Sequence, residues 1–159
     1  MGKEKKCTLY KKYTSYKKCI PYLILAGFTF FFCWWFVGRH GIFGAKVDWL
    51  SQHSVLPDYF RQQFYATGKI FPEFAPNLGG GQNIYHFAYY GLYSPLILPS
   101  YLFPFVKMSD YIMVISITGL TVSVLLFYYW LKSRKMDTGV AFIISLMFPV
   151  SYTHLRAHE

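Results

Sequence analysis

The chain has 159 residues, of which 54% are hydrophobic, 22% aromatic and only 14% charged. Soluble domains carry about 25% charged residues, so this composition excludes an ordinary soluble enzyme and indicates a membrane protein. The formal net charge is +9, and seven of the lysines lie among the first eighteen residues. Basic residues that flank apolar runs are typical of membrane topology, so no nucleic-acid partner is expected.

A basic segment, residues 1–18, precedes a predicted membrane helix over residues 19–38. This run of twenty residues carries no charge, and it has the length needed to cross a hydrocarbon core of about 30 Å. A cleaved signal peptide is the alternative, but the run is long for one and no small-residue cleavage site follows it. The preceding lysines predict a cytoplasmic N-terminus that also contacts anionic membrane lipids.

Residues 39–110 are predicted to form an outer loop with a short amphipathic helix in its first half. Pro57 and Asp58 mark the expected start of this helix, with Asp58 as the cap. Thr67 and Gly68 mark its expected end. Because long loops without a role are uncommon, we expect this one to have a function.

The second half of the loop includes an aromatic segment, residues 89–106, that contains Pro95, Pro99 and Pro104. Three missing backbone donors are difficult to accommodate in one lipid-facing helix. An interfacial or re-entrant segment is therefore predicted. The alternative is a proline-kinked crossing, which would place the later KSRK sequence outside the cell.

Two further apolar runs follow the loop. Residues 111–131 predict a second membrane helix, with Asp110 complementing its dipole, and residues 138–150 predict a third. Between them, residues 132–137 contain the basic sequence KSRK and are predicted to be cytoplasmic. The expected fold is therefore all-α, with polytopic transmembrane helices and interfacial helices in the first outer loop.

The sequence NLGGGQN, residues 77–83, raises the question of a phosphate-binding loop. A Walker loop needs a Lys-Ser/Thr pair after its last glycine, and a dinucleotide fingerprint needs a strand before it and a helix after it. Neither pattern is present, so the three glycines are interpreted as a tight turn with positive φ angles.

No metal signature stands out in the sequence. His40, His53 and His86 are scattered, and no Cys–His spacing fits a zinc site. No cofactor is therefore predicted, although a divalent metal is left open.

Several features together resemble the N-terminal part of the bacterial YfhO-type membrane proteins, over roughly residues 11–145. They are Asp48 just beyond the first helix, Gln52, and the sequences DYFRQ, NLGGGQN and YYGLYSP. Those proteins look like GT-C glycosyltransferases of the bacterial cell membrane, with many membrane helices. The resemblance implies an outer-face active site, a polyprenyl-phosphate-linked sugar as donor, and a cell-envelope polymer such as lipoteichoic acid as acceptor.

Asp48 is the catalytic candidate, because glycosyl transfer needs a base that accepts the proton of the acceptor hydroxyl. The resemblance also implies an acidic residue in the first outer loop. A carboxylate shortly after a membrane helix lies where a lipid-borne sugar is presented. The alternatives for Asp48 are a solvated loop aspartate and an N-cap for the sequence WLSQH.

Arg61, Gln52, Gln82 and Asn83 are the substrate-binding candidates. Arg61 could bind a phosphate through two parallel hydrogen bonds, and the amides could bind sugar hydroxyls. A solvated helix face is the alternative for Arg61. A role in the turn or at the interface is the alternative for Gln82 and Asn83.

The end of the chain, residues 151–159, reads SYTHLRAHE and resembles a non-native tail on a truncated protein. The chain is accordingly interpreted as the first part of a longer protein. The competing function is non-enzymatic, namely a membrane transport or scaffold protein whose aromatic loop only packs.

Overall fold

A computed structural model describes residues 2–41 and 46–156, with side chains for residues 18–39, 41 and 47–151. The chain divides into two compact units. We name Met1–Gly41 with Ile117–Glu159 the helical unit, and Ile42–Ser116 the loop unit. The predictions for the lysine-rich N-terminus and for the tail concern side chains that lie mostly outside the described part of the chain.

Helices make up most of the structure, as the sequence predicts. In chain order the α-helices are α1 (Gly2–His40), α2 (Lys46–Asp48), α3 (Val55–Thr67), α4 (Met108–Ser133) and α5 (Thr138–Arg156). A π-helix, Trp49–His53, follows α2, and two 3-10 helices cover Ile84–Tyr90 and Leu98–Leu102. The strands of the described residues form one small hairpin, in which β1 (Phe74–Ala75) pairs antiparallel with β2 (Gln82–Asn83).

Among the described residues, two helices are long and apolar enough to cross a membrane: Lys18–Arg39 within α1, and α4. The predicted runs, residues 19–38 and 111–131, lie inside them. Only 22% of each apolar stretch is buried, and large side chains such as Leu23 are 70% exposed. Such uncovered apolar surface is the pattern expected of a helix surrounded by lipid. The apolar part of α5 is shorter, Thr138–Ser151.

In the helical unit, α1, α4 and α5 share one core, whose buried residues are Leu25, Val124, Tyr128, Leu131 and Ala141. Leu25, Thr29 and Cys33 recur every four residues on α1, as Ala141 and Ser145 do on α5, and the two helices are in contact. Small residues let helix backbones approach closely in lipid. The Thr29 and Ser145 hydroxyls donate at 2.8 Å to the carbonyls of Leu25 and Ala141, so both are satisfied within their own helices.

The loop unit has an apolar core of its own, in which α3 packs against the first 3-10 helix. The buried residues of this core are Leu56, Phe60, Ala75, Ile84 and Leu92. Burial of one large apolar side chain contributes about 1.5–3 kcal/mol. Side-chain packing therefore holds together a region that has little regular secondary structure.

α3 ends where the sequence predicts but begins earlier. Gly68 follows its last residue with a φ of 72°, and a C-terminal cap in this conformation favours glycine. The helix begins at Val55 with Ser54 at the N-cap position, so the prediction that Asp58 caps it is wrong. Asp58 lies inside the first turn, and its carboxylate accepts hydrogen bonds from side chains three and four residues later.

The proline-rich segment, residues 89–106, contains no α-helix over its fully described length. It consists of turns, the end of one 3-10 helix and the five-residue helix Leu98–Leu102. A 3-10 helix of that length extends about 10 Å, much less than the hydrocarbon core. The position of this segment relative to a membrane stays a prediction.

The turn of the hairpin depends on its glycines. Gly79, Gly80 and Gly81 have φ angles of 57°, 80° and 97°, which confirms the predicted positive φ. A Cβ atom on Gly81 would lie 2.8 Å from the Phe74 ring, whereas one on Gly80 would meet open space. A substitution at Gly80 therefore tests backbone strain alone, whereas one at Gly81 tests backbone strain together with a steric clash.

We expect Gly80→Ala to lower the free energy of local opening of the hairpin by about 1 kcal/mol, the cost of a left-handed conformation for an L-residue. Gly81→Ala should cost roughly 2 kcal/mol, because the Phe74 ring must also move. Hydrogen exchange of the hairpin amides measures both values. Equal effects of the two substitutions would contradict the clash at Gly81.

Asp137 caps the N-terminus of α5. Its Oδ1 accepts hydrogen bonds from the amides of Gly139 at 2.8 Å and Val140 at 3.2 Å. The hydrogen bonds from the backbone amides of Val140 and Gly139 hold the pKa of the Asp137 carboxyl below its usual value. A lowered folded-state pKa means that the cap contributes fully above about pH 4 and is lost as the pH falls through that pKa.

We therefore expect the first turn of α5 to be less protected at pH 3 than at pH 6, after correction for intrinsic exchange rates. Asp137→Ala should remove this difference, because the pH dependence comes from the carboxylate. Asp137→Asn keeps an oxygen acceptor and should retain part of the protection. Hydrogen exchange in detergent measures the protection in the wild type and in both variants. An unchanged pH dependence in Asp137→Ala would refute the assignment of Asp137 as the cap.

Candidate functional site

Asp48 lies at the end of α2, immediately before the π-helix Trp49–His53. Its φ of −67° and ψ of −36° are helical, and its side chain makes no cap hydrogen bond to that helix. Asp48 thus occupies the N-cap position of WLSQH, as that alternative predicts, but its side chain does not cap the helix. The Asp48 side chain is exposed, so its carboxylate is accessible to a ligand. π-Helical turns occur frequently at functional sites.

The charge of Asp48 acts on Tyr90, whose ring contacts two further aromatic side chains. We name the four residues the Asp48 cluster: Asp48, His53, Tyr89 and Tyr90. The His53 and Tyr90 rings meet edge to face, with centroids 6.1 Å apart. The Tyr89 and Tyr90 centroids are 4.1 Å apart. Folding of the loop unit thus brings the π-helix to the end of the first 3-10 helix.

The electrostatics of the cluster keep Tyr90 neutral. A hydrogen bond with the Tyr89 side chain raises the pKa of Tyr90, and loss of solvation and the negative charge of Asp48 raise it further. A tyrosine is already protonated at neutral pH, and these effects extend the pH range over which Tyr90 stays protonated. Tyr89 is 76% exposed, so its aromatic surface is available to a ligand. The cluster offers a carboxylate acceptor, neutral hydroxyl groups and an exposed ring.

Arg61 is only 6% exposed and is bonded within the loop unit. Its Nη2 donates to Asp58 Oδ1 at 2.7 Å, and its Nη1 donates to the carbonyls of Val106 at 2.8 Å and Phe103 at 3.3 Å. The alternative of a solvated helix face is excluded by this burial. Protein groups already use three of the guanidinium hydrogens, and a substrate-binding role for Arg61 stays a prediction.

The predicted amide ligands lie in two places. Gln52 is half-buried in the π-helix that follows Asp48. Gln82 and Asn83 form β2, and the Asn83 side chain accepts a hydrogen bond from the Tyr85 amide at 2.9 Å, which caps the first 3-10 helix. Asn83 therefore has a structural role, and sugar binding by these three amides stays a prediction.

We assign no metal ligands in the part of the chain that the structure describes. Among the residues that the structure describes, no three His, Cys, Asp or Glu side chains converge. His53, which is part of the Asp48 cluster, packs its ring against Tyr90.

Two residues of interest were missed by sequence reasoning, Tyr90 and Lys107. Tyr90 is one of fifteen tyrosines, and only the fold brings it to Asp48. Lys107 lines a cleft together with Arg61 and directly precedes α4. A signal for Lys107 was available, because a lysine at the end of a membrane helix lies at head-group depth.

A comparison with protein-family models matches residues 18–157 to the family described as bacterial membrane protein YfhO. The chain belongs to the YfhO family. The match confirms the resemblance seen in the sequence, and together with the two candidate spans it identifies a membrane protein. No curated protein and no solved structure matches the chain.

We expect Arg61→Met to lower the free energy of unfolding of this YfhO-family chain by about 2–3 kcal/mol. The substitution removes the donors of Asp58 and of two backbone carbonyls at once. A larger loss is not expected, because the Asp58 side chain is 34% exposed and water can partly solvate it.

Gln62→Met is the matched control for this experiment. Gln62 also donates to Asp58, at 2.9 Å, but it is exposed and bonds only the other carboxylate oxygen. Gln62→Met should lower the free energy of unfolding by less than about 1 kcal/mol. Denaturant titration compares the two variants, and an equal loss in both would show that the Arg61 contacts to the backbone contribute nothing.

Proposed function

We propose that this chain carries the outer-loop catalytic region of an integral membrane glycosyltransferase. The donor is a polyprenyl-phosphate-linked sugar, and the acceptor is a cell-envelope polymer such as lipoteichoic acid. Membership of the YfhO family supports the assignment to a bacterial membrane protein. The observation on which the catalytic proposal rests is the exposed carboxylate of Asp48, whose charge acts on Tyr90, the tyrosine that packs against Tyr89.

In the proposed reaction Asp48 accepts the proton of an acceptor hydroxyl. The hydroxyl oxygen then forms a bond to the anomeric carbon of the sugar, while the bond between that carbon and the phosphate oxygen breaks. The lipid phosphate leaves with the bonding electron pair. The configuration at the anomeric carbon inverts, and the proton removed from the acceptor remains on Asp48 until solvent takes it.

The aromatic members of the Asp48 cluster supply binding rather than proton transfer. The exposed Tyr89 ring stacks against the apolar face of a sugar. The Tyr90 hydroxyl oxygen accepts a hydrogen bond from a sugar hydroxyl, since its own proton is used in the hydrogen bond with Tyr89 that raises the pKa of Tyr90. His53 packs against the Tyr90 ring and thereby limits its motion. Positioning of this kind places the acceptor oxygen within reach of the carboxylate.

We place the loop unit on the outer face of a multi-pass bacterial cell membrane, with the N-terminus in the cytoplasm. Lysines precede the first span, and the KSRK sequence follows α4. Both basic stretches belong on the cytoplasmic side. The number of crossings between them is then even, and the two candidate spans satisfy that condition.

We expect Asp48→Asn in the full-length protein to lower the rate of sugar incorporation into the envelope polymer by at least about 100-fold, the usual contribution of a general base. The amide keeps the size of the side chain but cannot accept the proton. Incorporation of labelled sugar into isolated membranes measures the rate.

Glu73→Gln is the matched control, because Glu73 is another exposed carboxylate of the loop unit and lies outside the Asp48 cluster. Its rate should equal that of the wild type. A wild-type rate in Asp48→Asn would remove the catalytic assignment. Absence of transfer in the wild-type protein would favour the non-enzymatic alternative, a transport or scaffold protein.

A further inference from the structure

A second site lies in the loop unit, in a cleft between α3 and the residues that lead into α4. The cleft has a volume of about 660 Å³, within the usual range for small-molecule sites. We name it the α3–α4 cleft, and its polar lining includes Ser54, Asp58, Arg61, Gln62, Lys107 and Ser109. None of these belongs to the Asp48 cluster.

The charges of the α3–α4 cleft leave one cation uncompensated. Both oxygens of Asp58 are occupied, Oδ1 by Arg61 at 2.7 Å and Oδ2 by Gln62 at 2.9 Å. Arg61 therefore neutralises Asp58. Lys107 lines the same cleft and is exposed, and its ammonium makes no ion pair with any residue in the described part of the chain. The cleft thus attracts an anion.

The place of Lys107 in the chain indicates the source of that anion. Lys107 immediately precedes α4, one of the two helices long and apolar enough to cross a membrane. The end of such a span lies at the depth of lipid head groups. Phe105, which also lines the cleft, is 81% exposed, and Leu102 is 76% exposed. Exposed apolar side chains beside a lysine are typical of the membrane interface.

We propose that the α3–α4 cleft binds the head-group phosphate of an anionic phospholipid, with Lys107 as the principal charged ligand. Ser109 lies in the first turn of α4, and its hydroxyl, which makes a long hydrogen bond of 3.5 Å to Asp110 Oδ1, turns to the phosphate for a second hydrogen bond. Arg61 sets the shape of the cleft, because it holds α3 to the carbonyls of Phe103 and Val106. The proposal does not depend on glycosyl transfer, since it uses none of the residues of the Asp48 cluster.

The test measures lipid retained by the full chain purified from nanodiscs that contain phosphatidylglycerol and phosphatidylcholine in equal amounts. Native mass spectrometry gives the ratio of the two lipids bound to the protein. We expect Lys107→Gln to reduce the bound phosphatidylglycerol about fivefold, which is the contribution of one lysine near an anionic lipid surface. Lys107→Arg keeps the positive charge and should retain the lipid.

Lys69→Gln is the matched control, because Lys69 is an exposed lysine of the loop unit that does not line the cleft. It should leave the lipid ratio unchanged. An unchanged ratio in Lys107→Gln, or an equal decrease in Lys69→Gln, would overturn the proposal. A decrease in Lys107→Arg as large as that in Lys107→Gln would do the same.

Inorganic phosphate distinguishes a lipid site from a general phosphate site. We expect 10-fold molar excess of inorganic phosphate over phosphatidylglycerol to leave the retained lipid unchanged, because the apolar side chains around the cleft favour a ligand with acyl chains. Displacement of the lipid by inorganic phosphate would refute the assignment to phospholipid. Sugar transfer plays no part in the measurement, so its outcome is independent of the proposed enzymatic activity.

Discussion

The buried guanidinium of Arg61 is the interaction on which the loop unit depends. The proline-rich segment before α4 forms no α-helix, so many of its backbone carbonyls need hydrogen-bond donors from elsewhere. Arg61 donates to the carbonyls of Phe103 and Val106, and Asp58 balances its charge from the same helix. A neutral side chain could not bond both carbonyls and a carboxylate at once. The arginine therefore joins α3 to a segment that has little regular structure of its own.

The helical unit follows the opposite rule, because most of its apolar surface faces outward and only a narrow core is buried between its helices. Most of the apolar stretch in each candidate span is uncovered, whereas Thr29 and Ser145 are fully buried. In a membrane the lipid solvates the apolar surface, so close backbone packing and internally bonded hydroxyls decide which helix faces meet. The same α1–α5 interface in water would leave the outward residues exposed at a large free-energy cost.

The loop unit contains two candidate sites of different chemistry. The Asp48 cluster presents a carboxylate, neutral tyrosine hydroxyls and an exposed aromatic ring, a combination suited to a neutral ligand such as a sugar. The α3–α4 cleft has one uncompensated cation, Lys107, and exposed apolar side chains around it, a combination suited to an anionic amphiphile. The two proposed roles use both kinds of recognition, one for a reacting group and one for the membrane surface.

The sequence by itself determined the membrane class, the two long apolar helices, the end of α3 at Gly68 and the glycine turn. These features depend on composition, on local periodicity or on the φ angle of single residues, all of which a short stretch of chain contains. The roles of Asp58 and Tyr90 depended on tertiary structure. Asp58 does not cap α3 because the helix begins at Val55, and its partner Arg61 is buried because it also bonds carbonyls far along the chain. Tyr90 comes near Asp48 only once the loop unit has folded. No local sequence pattern predicts such contacts, because they join segments that are far apart along the chain and come together only on folding.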